Sequence, residues 1–362
     1  MSAESRLHAF RRRLEDEEIG AALVTQVANM RYLTGFDRVF DDGINAACLV
    51  TLDEAWFYTD FRYAEAAEAA AVGTPWSVHL QKESLYIELC KELHAAGVDS
   101  LVMEESAPYG RFKFISEQFQ GNVQVVESWV EDLRQVKEPV EIVAIEAAAR
   151  LADEAFEHIV GFVRAGIREI DVALELEFFM RKNGSEGVAF DAIVASGPNS
   201  ARPHAGVTTR RIEPNDFLKM DFGARVDGYC SDLTRTIVVG TADDRQREVY
   251  EAVLAANEAA LAGLRPGMPG AEVDAIARRV LTDRGFGEQF GHGLGHGVGL
   301  AVHEMPALGP RSRQPVREGA VVTIEPGVYL PGFGGVRIED LVLVTGDGAT
   351  LLSHAPKGLT EV

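Results

Sequence analysis

Thiols are scarce in this 362-residue chain: there are three cysteines, Cys48, Cys90 and Cys230, with no CxxC pair among them. An odd, widely spaced set argues against a disulfide framework and against a thiolate zinc site, and it fits a reducing cytoplasm. Long apolar runs are missing too. No stretch of ~18 uncharged apolar residues occurs, so no transmembrane helix is expected. The segment from Met1 to Glu18 is dense in charge and lacks the apolar core of a signal peptide. Positive charge is in short supply, with 35 Lys and Arg against 56 Asp and Glu and a net charge of −21. So acidic a surface repels phosphate backbones and anionic lipid, which sets nucleic-acid and membrane-surface binding aside. Internal repeats and low-complexity segments are absent as well. What is present, 46% hydrophobic and 25% charged residues, is ordinary globular usage. It suits a soluble enzyme with carboxylates to spare for cations.

At about 100–200 residues per domain, the length suggests two domains. In the first, Leu7, Phe10 and Leu14 recur at helical spacing. Short apolar runs at 21–24, 46–52, 56–58, 100–103 and 123–126 read as strands, and Ala- and Glu-rich stretches at 63–71 and 85–96 read as helices. Alternating strands and helices predict an α/β unit. The pattern breaks near RQVKEP (134–139), which sets the expected domains at 1–134 and 140–362. Beyond the break, helices are expected at 140–163, 170–182, 245–264 and 271–284; the second stops at Asn183-Gly184 and the last two end before a glycine. Strand-like runs fall at 217–222, 234–239, 321–324 and 336–344, so the second domain reads as α+β.

The chemistry-bearing residues cluster in that second domain. Asp227-Gly228 is a strong two-residue hairpin signal. Pairing about that turn sets Asp221 opposite Thr234, with Asp232 as a diagonal neighbour on the same face. Such neighbours have Cα atoms roughly 7–8 Å apart. Asp221 follows the apolar Phe217, Leu218 and Met220, which implies burial, and buried charge must be paired or metal-bound. Two solvated hairpin acids are the alternative. A second cluster is FGHGLGHGVGLAVHE (290–304), with glycine at 291, 293, 295, 297 and 299. Read as a strand, it puts the glycines on one face, where another backbone can approach, and His292 and His296 on the other. So many glycines exclude a helical His-x-x-x-His site. No phosphate-loop ending follows, and Ala307 stands where an HExxH motif needs its second histidine. A third pair of acids, Glu325 and Glu339, sits in apolar runs joined by a Gly/Pro-rich link that can fold one onto the other. A salt bridge to Arg337 is an alternative role for Glu339. Four strand-borne carboxylates with an imidazole suit hard to borderline divalent ions such as Mn²⁺. Two such ions about 3.5–4 Å apart lower the pKa of a shared water, which makes hydroxide available as a nucleophile.

The set Asp221, Asp232, His296, Glu325 and Glu339 closely resembles the metal pentad of the pita-bread metallopeptidases. That family contains Xaa-Pro aminopeptidase, prolidase (Xaa-Pro dipeptidase) and methionine aminopeptidase. The matching blocks are SGPNSARPHA (196–205), MDFGARVDGYCSDLTRT (220–236), HGLGHGVGLAVHE (292–304), TIEPGVYL (323–330) and GGVRIED (334–340). NMRYLTGF (29–36) resembles the creatinase-like N-terminal domain of the proline-specific members, a domain the methionine-specific members usually lack. The resemblance implies a creatinase-like α/β domain followed by a pita-bread catalytic domain, and a homodimer. It implies that Asp221 chelates one ion, His296 and Glu325 the other, and that Asp232 and Glu339 bridge both. His204 and His303 would bind substrate and stabilise the tetrahedral intermediate, and Glu325 would also shuttle the proton. His292 would line the proline-side pocket, Arg337 would support the carboxylates, and Tyr329 would assist from behind. All five ligands are present, which argues against a metal-free creatinase-like hydrolase or peptide-binding module.

The resemblance therefore implies a metal-dependent hydrolase of the Xaa-Pro imide bond, using two ions (Mn²⁺, with Co²⁺ or Zn²⁺ as substitutes). Dipeptide and longer substrates remain alternatives. Arg311 lies where prolidases carry an arginine for the proline carboxylate, although an exposed basic loop would look the same. FDRVFDDG (36–43) departs from the small, Ser/Gly-rich stretch of many aminopeptidase-type relatives. In family dimers this loop can approach the partner's active site, so the resemblance implies that Arg38 or its acidic neighbours could there read a substrate terminus. These features favour a dipeptidase over an aminopeptidase.

Overall fold

The computed structural model describes residues 3–36, 39–41 and 43–362. Arg38, with Asp37 and Asp42, lies outside the described residues. The chain divides into two compact units, Met1–Arg134 and Gln135–Val362.

The first unit contains α1 (Ala3–Asp16), β1 (Ala21–Val24), α2 (Val27–Thr34), β2 (Ala46–Thr51), β3 (Ala55–Thr59), α3 (Ala64–Ala71), β4 (Ser77–Leu80), α4 (Leu85–Ala95), β5 (Ser100–Glu104), α5 (Tyr109–Gln118), β6 (Asn122–Val126) and α6 (Trp129–Arg134). Its strands form one mixed sheet in the order β4-β3-β2-β1-β5-β6. The expected stripe of α1, Leu7, Phe10 and Leu14, is buried. A core of Leu23, Leu49, Tyr58 and Leu101 packs on Leu89 and Leu93 of α4 and Ile115 of α5. Strand β4 escapes a reading of apolar runs because it is a sheet edge with both ends exposed.

The second unit opens with α7 (Pro139–Phe162) and α8 (Glu169–Lys182), then β7 (Gly187–Val188) and β8 (Ile193–Ser196). A hairpin follows: β9 (Phe217–Phe222), β10 (Ala224–Val226), β11 (Tyr229–Cys230) and β12 (Leu233–Val238). The plan then repeats with α9 (Asp244–Gly263), α10 (Gly270–Asp283), β13 (Gly295–Gly297), β14 (Glu304–Leu308), β15 (Val321–Ile324), β16 (Gly327–Leu330), β17 (Gly334–Arg337), β18 (Asp340–Thr345) and β19 (Gly348–Leu351). Helices α7 and α8 pack on β8, β9 and β12, and α9 and α10 on the sheet containing β15 and β18. The two strand sets meet where Glu339 N donates to Thr234 O (3.1 Å) and Thr236 Oγ1 to Arg337 O (3.0 Å). A fully buried Arg235–Asp340 pair (2.9 Å) ties them again.

Two expectations are corrected here. The run 336–344 is not one strand: it breaks between Arg337 and Asp340 into β17 and β18, which pair with different partners. The glycine-rich run is a regular strand only over Gly295–Gly297, with a register shift there. Its residues therefore do not keep one face. Leu294 and Val298 enter two separate cores, while His292 and His296 line a cavity.

Candidate metal centre

Two hairpins bring the acids together. In the first, Asp227 (φ 48°) and Gly228 (φ 76°) take the left-handed turn that their sequence favours. The pairing sets Asp221 opposite Thr234, as expected. In the second, Ile324 pairs with Asp340 and Gly327 with Arg337, so Glu325 and Glu339 face each other in the gap between these pairs. His296 arrives from β13, which the glycines allow to run close to its neighbours. A Cβ on Gly295 would lie 2.1 Å from Thr323 O, and one on Gly297 2.2 Å from Met305 O. Thr323 Oγ1 accepts from His296 N (3.1 Å) and donates to Glu325 Oε1 (3.2 Å), so one hydroxyl sets both side chains.

Ligand atoms of Asp232, His296 and Glu339 all lie within 4.8 Å of one another. His296 Nε2 is 3.3 Å from Glu325 Oε1 and 3.6 Å from Asp232 Oδ2. Its Nδ1 is 3.1 Å from Gly297 O, and a carbonyl can only accept, so Nδ1 carries a proton. Against the effect of burial, the hydrogen bond and charge of Glu325 raise the ring's pKa to about 9, so without a cation Nε2 also carries a proton and donates to Glu325; a bound cation would take that proton's place on the Nε2 lone pair. Asp221 pairs with Arg337, while its Oδ1 is buried with no hydrogen-bond partner among the described residues. Arg337 turns to Asp221 and, at 3.9 Å, to Glu325, so the alternative of an Arg337 salt bridge for Glu339 is not what forms. Glu339 accepts instead from Thr234 Oγ1 (2.6 Å).

Burial pushes Asp232 well above the usual carboxylate range, and the charges of Glu339, Asp221 and Glu325 add to it. Glu339 is raised in the same way, by burial and then by Glu325 and Asp221. For Asp221, burial again outweighs Arg337. Glu325 goes the other way: burial opposes its charge, but the hydrogen bond and charge of His296 hold it low. An oxygen-rich cluster with one oriented imidazole, mutual repulsion and an unpartnered buried carboxylate oxygen fits divalent cations in donor type and in sign of charge.

These side chains line a cavity of about 740 Å³ together with His204, His292, His303 and Arg337. The lining also includes an apolar group, Phe190, Ala192, Ile193 and Val207. His292 is fixed by a chain of bonds: Arg337 Nη1 donates to Tyr329 OH (3.0 Å), which meets His292 Nε2 (2.9 Å), while Nδ1 faces Gly293 O (2.8 Å). Burial lowers the His292 pKa, so the ring is a neutral acceptor for the phenol. The His303 ring lies tilted against the His296 ring with centroids 4.1 Å apart, and burial followed by the His296 charge lowers its pKa. Arg311 is exposed in the segment between β14 and β15 and is not part of the cavity wall.

Lys219 was not foreseen. It is fully buried, and Nζ donates to Arg202 O (2.6 Å) and Pro203 O (3.1 Å) beside His204. Burial, then Arg337, lowers its pKa to about 6. The available signal was its place two residues before Asp221, on the same face of an otherwise apolar strand. The apolar group could likewise have been read from the residues flanking SGPNSARPHA.

Residues 143–346 match the family model described as metallopeptidase family M24, and residues 6–136 match the creatinase/prolidase N-terminal domain. The chain is 38% identical over 351 residues to an Xaa-Pro dipeptidase of Pyrococcus horikoshii, covering 96% of each protein. It resembles the solved Xaa-Pro dipeptidase from Bacillus anthracis at 40% identity and a TM-score of 0.94, across 100% of both chains. The X-Pro aminopeptidase from Thermotoga maritima is similar at 34% identity and a TM-score of 0.90, covering 98% of this chain and 99% of that one.

Proposed function

The chain belongs to metallopeptidase family M24, and from that premise we propose that it hydrolyses the Xaa-Pro bond of dipeptides. Asp221 would hold one cation, His296 and Glu325 a second, and Asp232 and Glu339 would bridge both. Divalent cations bound there lower the pKa of a water and polarise the scissile carbonyl. The remaining work falls to the chain's own residues. Glu325, kept ionised by its neighbours, accepts the water's proton and returns it to the leaving nitrogen, which as a tertiary amide carries none of its own. His204 and His303 donate to the charge that develops on the carbonyl oxygen. His292, held by Tyr329, lines the side that receives proline. Arg337 keeps Asp221 and Glu325 oriented. By family resemblance alone, Arg311, which stands outside the cavity wall, is a candidate for the proline carboxylate, and Arg38 a candidate for reading a substrate terminus.

The observation that carries this reading is the convergence of Asp221, Asp232, His296, Glu325 and Glu339 on one cavity wall. The oxygen-rich donors support Mn²⁺, with Co²⁺ or Zn²⁺ as substitutes. Family resemblance supports a homodimer, and three buried free cysteines support a reducing cytoplasm. The names of the B. anthracis and P. horikoshii relatives support dipeptides over the longer substrates of an X-Pro aminopeptidase. One experiment tests the reading: chelator-treated and Mn²⁺-reloaded enzyme assayed on Ala-Pro and on Ala-Pro-Ala. The expected result is hydrolysis of Ala-Pro only after reloading, and faster than that of the tripeptide. Full activity after chelation overturns the metal reading, and preference for the tripeptide overturns the dipeptide reading.

A further inference from the structure

Residues 197–208 form a strap that carries His204 to the cavity, and both feet of the strap are tied to one carboxylate. At the first foot, Ser196 N and Ser196 Oγ each donate to Glu169 Oε1 at 2.7 Å, and Asn199 Nδ2 donates to the same oxygen at 3.1 Å. At the other foot, Thr208 N donates to Glu169 Oε2 at 3.2 Å, joined by the Thr208 hydroxyl. Backbone bonds from Glu169 N to Arg210 O (3.0 Å) and from Ile170 N to Thr208 O (3.1 Å) align the same foot. Near the crown, Lys219 and Arg337 hold the Arg202 and Pro203 carbonyls. Glu169 itself is 0% exposed and takes no part in the cavity wall.

His204, by contrast, is exposed and makes no hydrogen bond or ion pair with another described residue. Its position therefore depends on the backbone it grows from. We propose that Glu169 is a positioning residue for the peptidase reaction, closing the strap so that His204 meets substrate at a fixed place. The inference rests on the reading of His204 as a substrate-contacting group. A carboxylate is the right clasp because every group that reaches it is a donor. Glutamine would turn an NH₂ toward one foot and repel the donors there.

The test is a double-mutant cycle of Glu169→Gln and His204→Ala on the Mn²⁺-loaded enzyme with Ala-Pro. Thermal unfolding and bound metal are measured for each variant. Glu169→Gln is expected to lower kcat/KM on the order of tenfold to a hundredfold, the scale of an ångström-level misplacement, with bound metal unchanged. In the His204→Ala background the same change should cost less than about twofold. An equal loss in both backgrounds overturns the inference, because Glu169 would then act through the fold at large. If Glu169→Gln fails to fold, Thr208→Val carries the cycle, removing one hydroxyl at the far foot. A smaller loss that vanishes without His204 is expected, and one that persists there overturns the inference. If His204→Ala alone keeps wild-type kcat/KM, it is the role of His204 that fails, and the positioning argument falls with it.

Discussion

Glu169 is wholly buried, yet its pKa lies below that of an ordinary glutamate. Burial by itself raises it, and the bonds from Thr208, Ser196 and Asn199 more than reverse that. A folded pKa below the unfolded one means that the unfolded chain takes up the proton first as pH falls. The stabilisation from ionised Glu169 is thus complete above the unfolded value, about 4.3, and is lost as pH drops through that value toward the folded one. Glu169→Gln leaves buried donors unsatisfied and should cost about 1–3 kcal/mol at pH 7. Urea unfolding of wild type and variant should therefore show a gap at neutral pH that narrows below about pH 5. A gap of constant size down to pH 3 would mean that folding does not lower the pKa of Glu169. Nothing in the sequence announces this residue. Its donors lie 27 to 39 positions downstream, and a glutamate at the start of a helix reads as an unremarkable first-turn acid.

At the level of elements, local signals were the legible ones. The Asp227-Gly228 turn correctly placed Asp221 opposite Thr234. The four catalytic-unit helices begin and end within a residue of where their boundaries were read. Register breaks were hidden, because the split at Ile338–Glu339 arises where the chain leaves its hairpin with β16 to pair with β15, and the shift in β13 depends on its pairing with β14, neither of which the apolar pattern of the run itself encodes. The glycines of β13 are a mixed case: close approach was foreseeable, but not which glycine meets it. The structure separates them. Gly295→Ala forces a methyl against Thr323 O and should drive β13 from β15, moving His296 Nε2 off the acids. Gly291 has nothing within 4 Å of an added Cβ, so Gly291→Ala serves as the matched control. We expect Gly295→Ala to lose about 1–3 kcal/mol of stability and at least about tenfold in Mn²⁺ affinity by calorimetry, with Gly291→Ala unchanged in both. Equal Mn²⁺ affinity in the two variants would show that His296 does not depend on this contact.

At the scale of the whole molecule, a net charge of −21 raises a rival to any specific effect of a cation. Divalent ions gather at an acidic surface and screen its self-repulsion, which stabilises the fold diffusely. The buried cluster predicts something sharper. The proposed ligands lie on β9 and β13, just before β12, just after β15 and in the gap between β17 and β18, so a bound ion would link strands from both halves of the catalytic unit. An ion that binds only the folded form at a hundred times its Kd adds about 2.7 kcal/mol. For a unit of this size that is a rise of roughly 5–10 °C in Tm. The two mechanisms part under salt and under mutation. In ~0.15 M salt the surface contribution is largely screened, whereas the buried one persists. Asp232→Asn leaves the surface almost unchanged but removes a ligand from the centre. Mn²⁺ should therefore raise the Tm of the wild type in salt, slow hydrogen exchange most at the amides of those strands, and do neither in Asp232→Asn. A shift of equal size in the variant would assign the stabilisation to the acidic surface and leave the cluster without its cation.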